Sequence, residues 1–123
     1  MLPKRQGGER IGDGQCVSLV KDATDFKGTA HEDWIAGPKL SKMDELDKLA
    51  PGTAIAIFGD DGKYHNTHAA IYLGYSENPR GIRVLDQWRG AGGEPAERFY
   101  PFKPAPGRSR MSDASRYSVI TVK

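Results

Sequence analysis

The sequence predicts an α+β fold in which an N-terminal helix packs on an antiparallel β-sheet. Two observations predict it. The clearest helical pattern lies near the N-terminus, and short apolar runs bounded by turn residues then follow one another to the C-terminus. Strands in such a run pair in antiparallel order, with the helix on one side. The 123 residues are enough for one domain with its own core, so we predict a single domain over residues 1–123.

The N-terminal helix is predicted from capping and periodicity. Residues 1–12 contain proline and several glycines and are interpreted as an extended arm. Asp13 is suited to accept hydrogen bonds from the free amides of a first helical turn, so we predict a helix over 13–23. Its apolar residues share one face, at positions i, i+3, i+4 and i+7: Cys16, Leu19, Val20 and Ala23. The thiol therefore lies in the first turn, on the face that meets the core.

The middle of the chain predicts a short helix and a buried strand. Residues 27–40 show no clear period, with Trp34 as an expected core residue and Gly37-Pro38 as an expected break. Ser41 to Asp44 resembles a capping box, and the spacing of apolar residues over 43–50 is typical of a short amphipathic helix. After a Pro-Gly stop, the run 53–58 (TAIAIF) predicts a strand that is buried on both faces.

Four further strands are expected, over 68–74, 82–88, 97–102 and 117–122. The first two are joined by a turn-rich connection over 75–81 and form a hairpin. In the strand 82–88, alternation places Ile82, Val84, Asp86 and Trp88 on one face. Glycine-rich residues 90–94 and the Pro-, Ser- and Arg-rich stretch 103–115 are predicted loops.

Composition excludes several classes of function. Lys and Arg number 18 and Asp and Glu 16, so the net charge of +2 gives no reason to expect binding to nucleic acid or to a membrane surface. No run approaches the ~20 apolar residues of a spanning helix. The single cysteine excludes an internal disulfide and multi-cysteine zinc sites. The N-terminus has no apolar stretch of the signal-peptide type, so synthesis in the cytoplasm without a signal peptide is expected.

Three polar residues occupy positions where a core favours apolar side chains: Cys16, His68 and Asp86. A hairpin centred near residue 77 places His68 across from Asp86 on one face. We expect the helix that carries Cys16 to cover that same face. A helix N-terminus and a nearby imidazolium both lower a thiol pKa, and a carboxylate fixes the imidazole tautomer. The three residues are therefore a candidate catalytic set for nucleophilic attack on an acyl carbon.

Other residues are candidates for lesser roles. First-turn amides, with Gln15 as a further donor, are expected to stabilise an oxyanion, while Tyr64, Asn66 and Trp88 are candidates for the wall of a substrate groove. His65 and His68 alone do not form a metal site, so neither a metal nor a cofactor is expected. Arginines at 98, 108 and 110 are interpreted as solvated.

The segment Gly12-Asp13-Gly14-Gln15-Cys16-Val17, followed by a helix, resembles the nucleophile segment of CHAP-type and NlpC-type cell-wall peptidases, a papain-like superfamily. Leu49–Ala56 resembles the entry to their first strand, and 66–73 (NTHAAIYL) their histidine strand. Asp86-Gln87-Trp88 resembles the strand that bears their third polar residue. The resemblance spans about residues 10–90 and the final strand, and is strongest to small bacterial members without signal peptides, which include type VI secretion amidase effectors.

This resemblance implies a papain-like catalytic domain with Cys16 as nucleophile, His68 as general base and acid, and Asp86 as the orienting residue. It implies peptidoglycan stem peptides as substrate, export by a dedicated secretion system to the periplasm or cell wall, and pairing with an immunity protein. The superfamily often has His, Asn or Glu at the third position, so Asp86 departs from the common pattern.

Two alternatives stay open at this point. A deamidase or a transglutaminase-like enzyme uses the same three residue types for acyl transfer. A non-enzymatic interaction module would bury Cys16 as a small apolar side chain, with His68 as a satisfied core histidine and Asp86 as a partner for Arg83, Arg89 or a backbone amide. The reactivity of the thiol at low pH separates the enzymes from the module.

Overall fold

Six antiparallel strands form one sheet in the order β1-β6-β2-β3-β4-β5. The computed structural model describes residues 16–24, 28–43, 46–65, 67–87, 95–103 and 110–122. Two helices precede the sheet, α1 (Cys16–Thr24) and the single turn α2 (Ala30–Asp33). The strands, in chain order, are β1 (Trp34–Lys39), β2 (Ala54–Ile57), β3 (Ala69–Glu77), β4 (Arg80–Asp86), β5 (Ala96–Pro101) and β6 (Tyr117–Val122). The predicted α+β class, with a helix against an antiparallel sheet, is confirmed.

The sheet separates two apolar clusters. On one face, α1 buries Leu19 and Val20 against a cluster that includes Ile71 and Leu85 of the sheet. The opposite face carries a second cluster, which contains the aromatic residues Tyr72, Tyr100 and Tyr117 and the branched residues Ile55, Ile82 and Val84. Short 3-10 turns cover this second face through Leu40, Leu46 and Ala114. Burial of each such large apolar side chain stabilises the fold by about 1.5–3 kcal/mol.

The predicted amphipathic helix over 43–50 is wrong. The structure instead has two 3-10 turns, Leu40–Lys42 and Leu46–Lys48, on either side of the undescribed residues 44 and 45. Both leucines are buried in the second cluster, and the Tyr72 hydroxyl donates to the main-chain carbonyl of Leu46 at 3.0 Å. Tertiary contacts of separate tight turns therefore override the local helical pattern.

A strand that the sequence did not predict, β1, forms one edge of the sheet beside β6. It contains Gly37 and Pro38, which suggested a break. A proline is tolerated at an edge because its missing N–H faces away from the ladder. The register between β1 and β6 shifts between Ala36 and Lys39, and Trp34 is buried as expected.

The β3–β4 hairpin contains a β-bulge. Gly74 pairs with Arg83, but Tyr72 pairs with Val84, so Leu73 is an extra residue on β3. A bulge of this kind changes which side chains of the two strands share a face. Beyond it, Ile71 pairs with Leu85.

This register fixes the side on which Asp86 lies. Because Ile71 faces Leu85, one further step places Asp86 opposite Ala70, which belongs to the cluster away from α1. Two residues before Ala70, His68 lies on the same side. The prediction that α1 covers the face shared by Ile82, Val84 and Asp86 is therefore wrong, because α1 packs on the other face, against Leu85.

The strands over 53–58, 68–74, 82–88, 97–102 and 117–122 correspond to β2 to β6, with small shifts at their ends. The arm over 1–12, the cap at Asp13 and most of the loops over 90–94 and 103–115 lie outside the described residues. Within the described residues, no helix has the length and apolar character needed to cross a membrane.

Candidate active site

Cys16 is the first described residue of α1, and its side chain is turned inward. The side chain of His68 and the backbone N–H of Ala69 lie near enough to the thiol to lower its pKa by hydrogen bonding, and His68 lowers it by charge as well. The Tyr64 hydroxyl lies 3.7 Å from the sulfur. The sulfur is thus held among three polar groups rather than in a purely apolar pocket.

His68 directly precedes β3, at the end of the sheet nearest the start of α1. Its Nε2 lies 2.8 Å from Oδ2 of Asp86. Since Nε2 faces the carboxylate, Nδ1 is the ring nitrogen left to exchange a proton with the sulfur. The position at the end of a strand explains how one imidazole contacts Asp86 on one side of the sheet and Cys16, from the helix on the other side.

Asp86 ends β4 and is fully buried. Its Oδ2 accepts hydrogen bonds from His68 and from the Tyr100 hydroxyl, while its Oδ1 accepts one from Nε of Arg98 at 2.5 Å. A buried carboxylate requires this kind of compensation. The interpretation of Arg98 as a solvated side chain is therefore wrong: it is only 30% exposed and is paired with Asp86. Arg83, one candidate partner for Asp86, pairs instead with Glu97.

Two tyrosines lie behind the carboxylate. The rings of Tyr100 and Tyr117 stack with centroids 5.5 Å apart, and the Tyr117 hydroxyl donates to the main-chain carbonyl of Met111 at 2.6 Å. Burial, with the charge of Asp86 as a further cause, raises the pKa of each phenol far above its ordinary value. Both therefore remain neutral, and Tyr100 acts as a hydrogen-bond donor to Asp86.

The pKa values of Cys16 and His68 are shifted in opposite directions from their ordinary values. Burial raises the pKa of the Cys16 thiol, but the hydrogen bond and charge of His68, with smaller help from Ala69 and Tyr64, outweigh it and lower that pKa below its ordinary value. Burial lowers the pKa of His68, but hydrogen bonds to Asp86 and Cys16 outweigh it and raise that pKa to about 9. The arrangement therefore favours a thiolate beside an imidazolium, which is the reactive form of a nucleophilic cysteine.

Not all the predicted site residues are described. Gln15, Asn66 and Trp88 lie outside the described residues. Tyr64 is described and buried, and its ring packs edge-on against Trp34, with centroids 5.2 Å apart. It therefore lies beside the Cys16 sulfur, and its role toward substrate stays a prediction.

His65 is separate from this cluster. Its side chain is about half exposed and contacts the Asp61 carboxylate at 2.9 Å. Across the described ranges, no three His, Cys, Asp or Glu side chains come together in a way that would hold a metal ion.

Sequence reasoning missed Arg98, Tyr100 and Tyr117 as parts of the site. A usable signal existed for the first two, because residues two apart on a strand share a face and the buried Asp86 needed donors. That signal depends on knowing that β5 lies next to β4, where Ala96 pairs with Asp86. The tyrosine of β6 had no comparable signal, since two strands separate β6 from β4 in the sheet.

The chain matches one protein family and is similar to a solved structure. Residues 2–120 match the model of the family described as domesticated amidase effector 2. A solved structure described as type 6 secretion amidase effector 2 (Tae2) is similar to this chain, with a TM-score of 0.73 and 26% sequence identity over 96% of this chain and 89% of that one. No curated protein matches the sequence. The chain therefore belongs to the domesticated amidase effector 2 family, and the predicted α+β fold and amidase function are confirmed.

Proposed function

We propose that Cys16 is the nucleophile, His68 the general acid and base, and Asp86 the orienting residue of an amidase that cleaves amide bonds in peptidoglycan stem peptides. The observation that carries this proposal is the continuous set of contacts from the thiol through the imidazole to the buried carboxylate. The depressed pKa of Cys16 and the raised pKa of His68 support it, because they favour the ion pair that attacks carbonyl carbon.

In the first half-reaction, the Cys16 thiolate attacks the carbonyl carbon of the scissile amide. A C–S bond forms and the carbonyl oxygen becomes an oxyanion. Collapse of this intermediate breaks the C–N bond, and the His68 imidazolium gives the proton on Nδ1 to the leaving nitrogen. The products of this step are a free amine and a thioester on Cys16, with a neutral imidazole.

In the second half-reaction, neutral His68 takes a proton from water as the resulting hydroxide attacks the thioester carbon. The C–S bond breaks, the carboxylic acid leaves and ionises, and the thiolate–imidazolium pair is restored. Throughout, the bond from Nε2–H to Asp86 holds the ring so that Nδ1 stays directed at the reaction.

Finer features of the proposal follow the resemblance. We place the chain with CHAP-type and NlpC-type peptidases, and propose that the Gln15 side chain and first-turn amides of α1 stabilise the oxyanion. Asn66 and Trp88 are proposed to line the substrate groove. What supports these assignments is the placement of Gln15, Asn66 and Trp88 within two residues of Cys16, His68 and Asp86.

The test is a digest of purified peptidoglycan, with the released fragments separated and identified by mass. The wild type is expected to release stem-peptide fragments, whereas Cys16→Ala and His68→Gln are expected to release none above background. His65→Gln is the matched control, because the same change is made three residues away on an exposed side chain. Equal turnover by His65→Gln and His68→Gln would contradict the proposed roles.

The same experiment addresses the acyl-transfer alternatives. Release of ammonia from a glutamine-bearing protein, or incorporation of an added amine, together with no release of peptidoglycan fragments, would favour a deamidase or a transglutaminase-like reaction. The amidase and these alternatives would all use the Cys16 thiolate, so Cys16→Ala would lose activity in each case. The masses of the released peptidoglycan fragments therefore distinguish the amidase from the alternatives.

We propose further that the chain is delivered to the cell wall by a dedicated secretion system and is paired with an immunity protein. The name of the Tae2 relative, a type 6 secretion effector, supports the delivery route. A cell that makes a wall-degrading enzyme needs protection from it, and a protein that blocks access to Cys16 would supply that protection. Growth arrest when the wild type, but not Cys16→Ala, is directed to the periplasm would test the site of action.

A further inference from the structure

The carboxylate of Asp86 has more hydrogen-bond donors than it needs to orient His68. Besides His68, it is bonded to a neutral phenol, Tyr100, and to a guanidinium, Arg98. Arg98 lies on β5, two residues along from Ala96, which is the partner of Asp86 in the register. The Arg98 side chain is mostly covered, and its Nε makes a 2.5 Å contact with Oδ1, the oxygen that His68 does not use.

The charge on His68 changes during the proposed reaction. The imidazolium is a counter-ion for Asp86 only while Nδ1 is protonated, and it loses that proton to the leaving amine. A fully buried carboxylate left without a cation is strongly unfavourable. A guanidinium, in contrast, stays charged at every pH at which the protein is folded.

We propose that Arg98 is a positioning residue that serves as the permanent counter-ion of Asp86, so that His68 can release its proton without leaving a buried carboxylate uncompensated. This inference rests on the proposed roles of Cys16, His68 and Asp86. It assigns to Arg98 a function that acts through Asp86, with no contact to substrate.

The other groups around His68 do not supply this charge. Within the described part of the chain, the polar groups found near it are the Cys16 thiol from α1, the Asp86 carboxylate from β4 and the Tyr100 hydroxyl from β5, with Tyr64 beside the sulfur and Tyr117 behind Tyr100. The three phenols are neutral donors because burial raises each pKa. In the acyl-enzyme the sulfur is part of a thioester and carries no charge. In the acyl-enzyme with neutral His68, the charges that remain in this set are the Asp86 carboxylate and the guanidinium of its partner Arg98.

Removal of the guanidinium charge should therefore make His68 hold its proton more tightly. In Arg98→Gln the imidazolium becomes the counter-ion of Asp86, and we expect the pKa of His68 to rise by about one unit or more above its wild-type value. A more basic imidazolium is a weaker acid toward the leaving amine, so the acylation rate at neutral pH is expected to fall by about tenfold.

The primary measurement is the titration of the His68 ring followed by NMR, which needs no substrate and no turnover. Arg83→Gln is the matched control: it removes an arginine from the adjacent strand, where the side chain is about half exposed and bonded to Glu97. It is expected to leave the His68 titration unchanged. Arg98→Lys retains a positive charge and is expected to keep the pKa of His68 within about half a unit of wild type.

An unchanged or lowered pKa of His68 in folded Arg98→Gln would overturn the inference. If the glutamine variant does not fold, Arg98→Lys decides: a His68 pKa near that of wild type supports the charge argument, and a rise of about one unit or more refutes it. Failure of the proposed function would look different, since the peptidoglycan digest would then be negative for the wild type whatever the His68 titration shows.

Discussion

Replacement of Asp86 by asparagine isolates the electrostatic part of the site. The carboxylate accepts the Nε2–H of His68 at 2.8 Å with no solvent exposure, and this hydrogen bond is the largest of the effects that raise the pKa of His68 to about 9. A hydrogen bond to a charged group contributes about 1.5–3 kcal/mol, which corresponds to about one to two pKa units. In Asp86→Asn the pKa of His68 is therefore expected to fall to about 7–8.

The sign of the effect on reactivity follows from the ion pair. The thiolate–imidazolium form exists between the lowered pKa of Cys16 and the raised pKa of His68, so the alkaline limb of the amidase rate follows His68. In Asp86→Asn the alkaline limb is expected to move toward lower pH by about one to two units, as the pKa of His68 does. The rate plateau is expected to fall as well, because the ring loses its orienting acceptor.

The assay combines an NMR titration of His68 with the pH dependence of peptidoglycan cleavage. Glu97→Gln is the matched control, since it neutralises an acidic side chain on the next strand that is half exposed and bonded to Arg83. It should leave both curves in place. If His68 in Asp86→Asn still titrates near 9, the reasoning that the carboxylate sets its basicity is wrong.

Three further changes probe the neighbourhood of the site. Tyr64→Phe removes a hydroxyl 3.7 Å from the Cys16 sulfur, so the pKa of the thiol should rise by about a few tenths of a unit. Alkylation of the thiol by iodoacetamide at pH 6 should therefore slow by about twofold. Tyr72→Phe removes the buried hydrogen bond to the turn before β2 and should lower the free energy of unfolding by about 1 kcal/mol in urea denaturation, with the amidase rate unchanged. A Cβ at Gly81 would clash with the ring of Phe99, so Gly81→Ala should lower the melting temperature and destabilise the fold by about 1–3 kcal/mol.

Much of this fold could be predicted from local patterns. The helix with Cys16 on its buried stripe, and the strands β2 to β6, follow from periodicity and turn residues, because each buries its own apolar side chains over a short stretch. β1 was missed because its pairing with the distant strand β6 stabilises a segment with no alternation of its own. The helix predicted over 43–50 failed for a related reason, since Leu40 and Leu46 pack on the sheet from separate turns.

The site was only partly accessible from sequence. Cys16, His68 and Asp86 were identifiable because polar groups interrupt apolar patterns at each position. The sequence predicted that α1 covers the face of the sheet that carries His68 and Asp86, and it does not. Cys16 instead meets His68 at the end of the sheet. The donors on β5 needed the strand order, which no local pattern encodes.

The extra residue at Leu73 constrains how this active site can vary between relatives. In a hairpin with a two-residue turn and no bulge, the numbers of any two paired residues add up to an odd number. A histidine and an acid in the same spatial relation as His68 and Asp86 would then have to be an odd number of residues apart. Here they are 18 residues apart, and the bulge supplies the missing step of parity. Deletion of one residue elsewhere between the two, with the bulge kept, would turn the carboxylate toward the helix side of the sheet. Insertions and deletions of two residues between the histidine and the acid should therefore be tolerated. A change of one residue should be tolerated only where it also creates or removes the bulge.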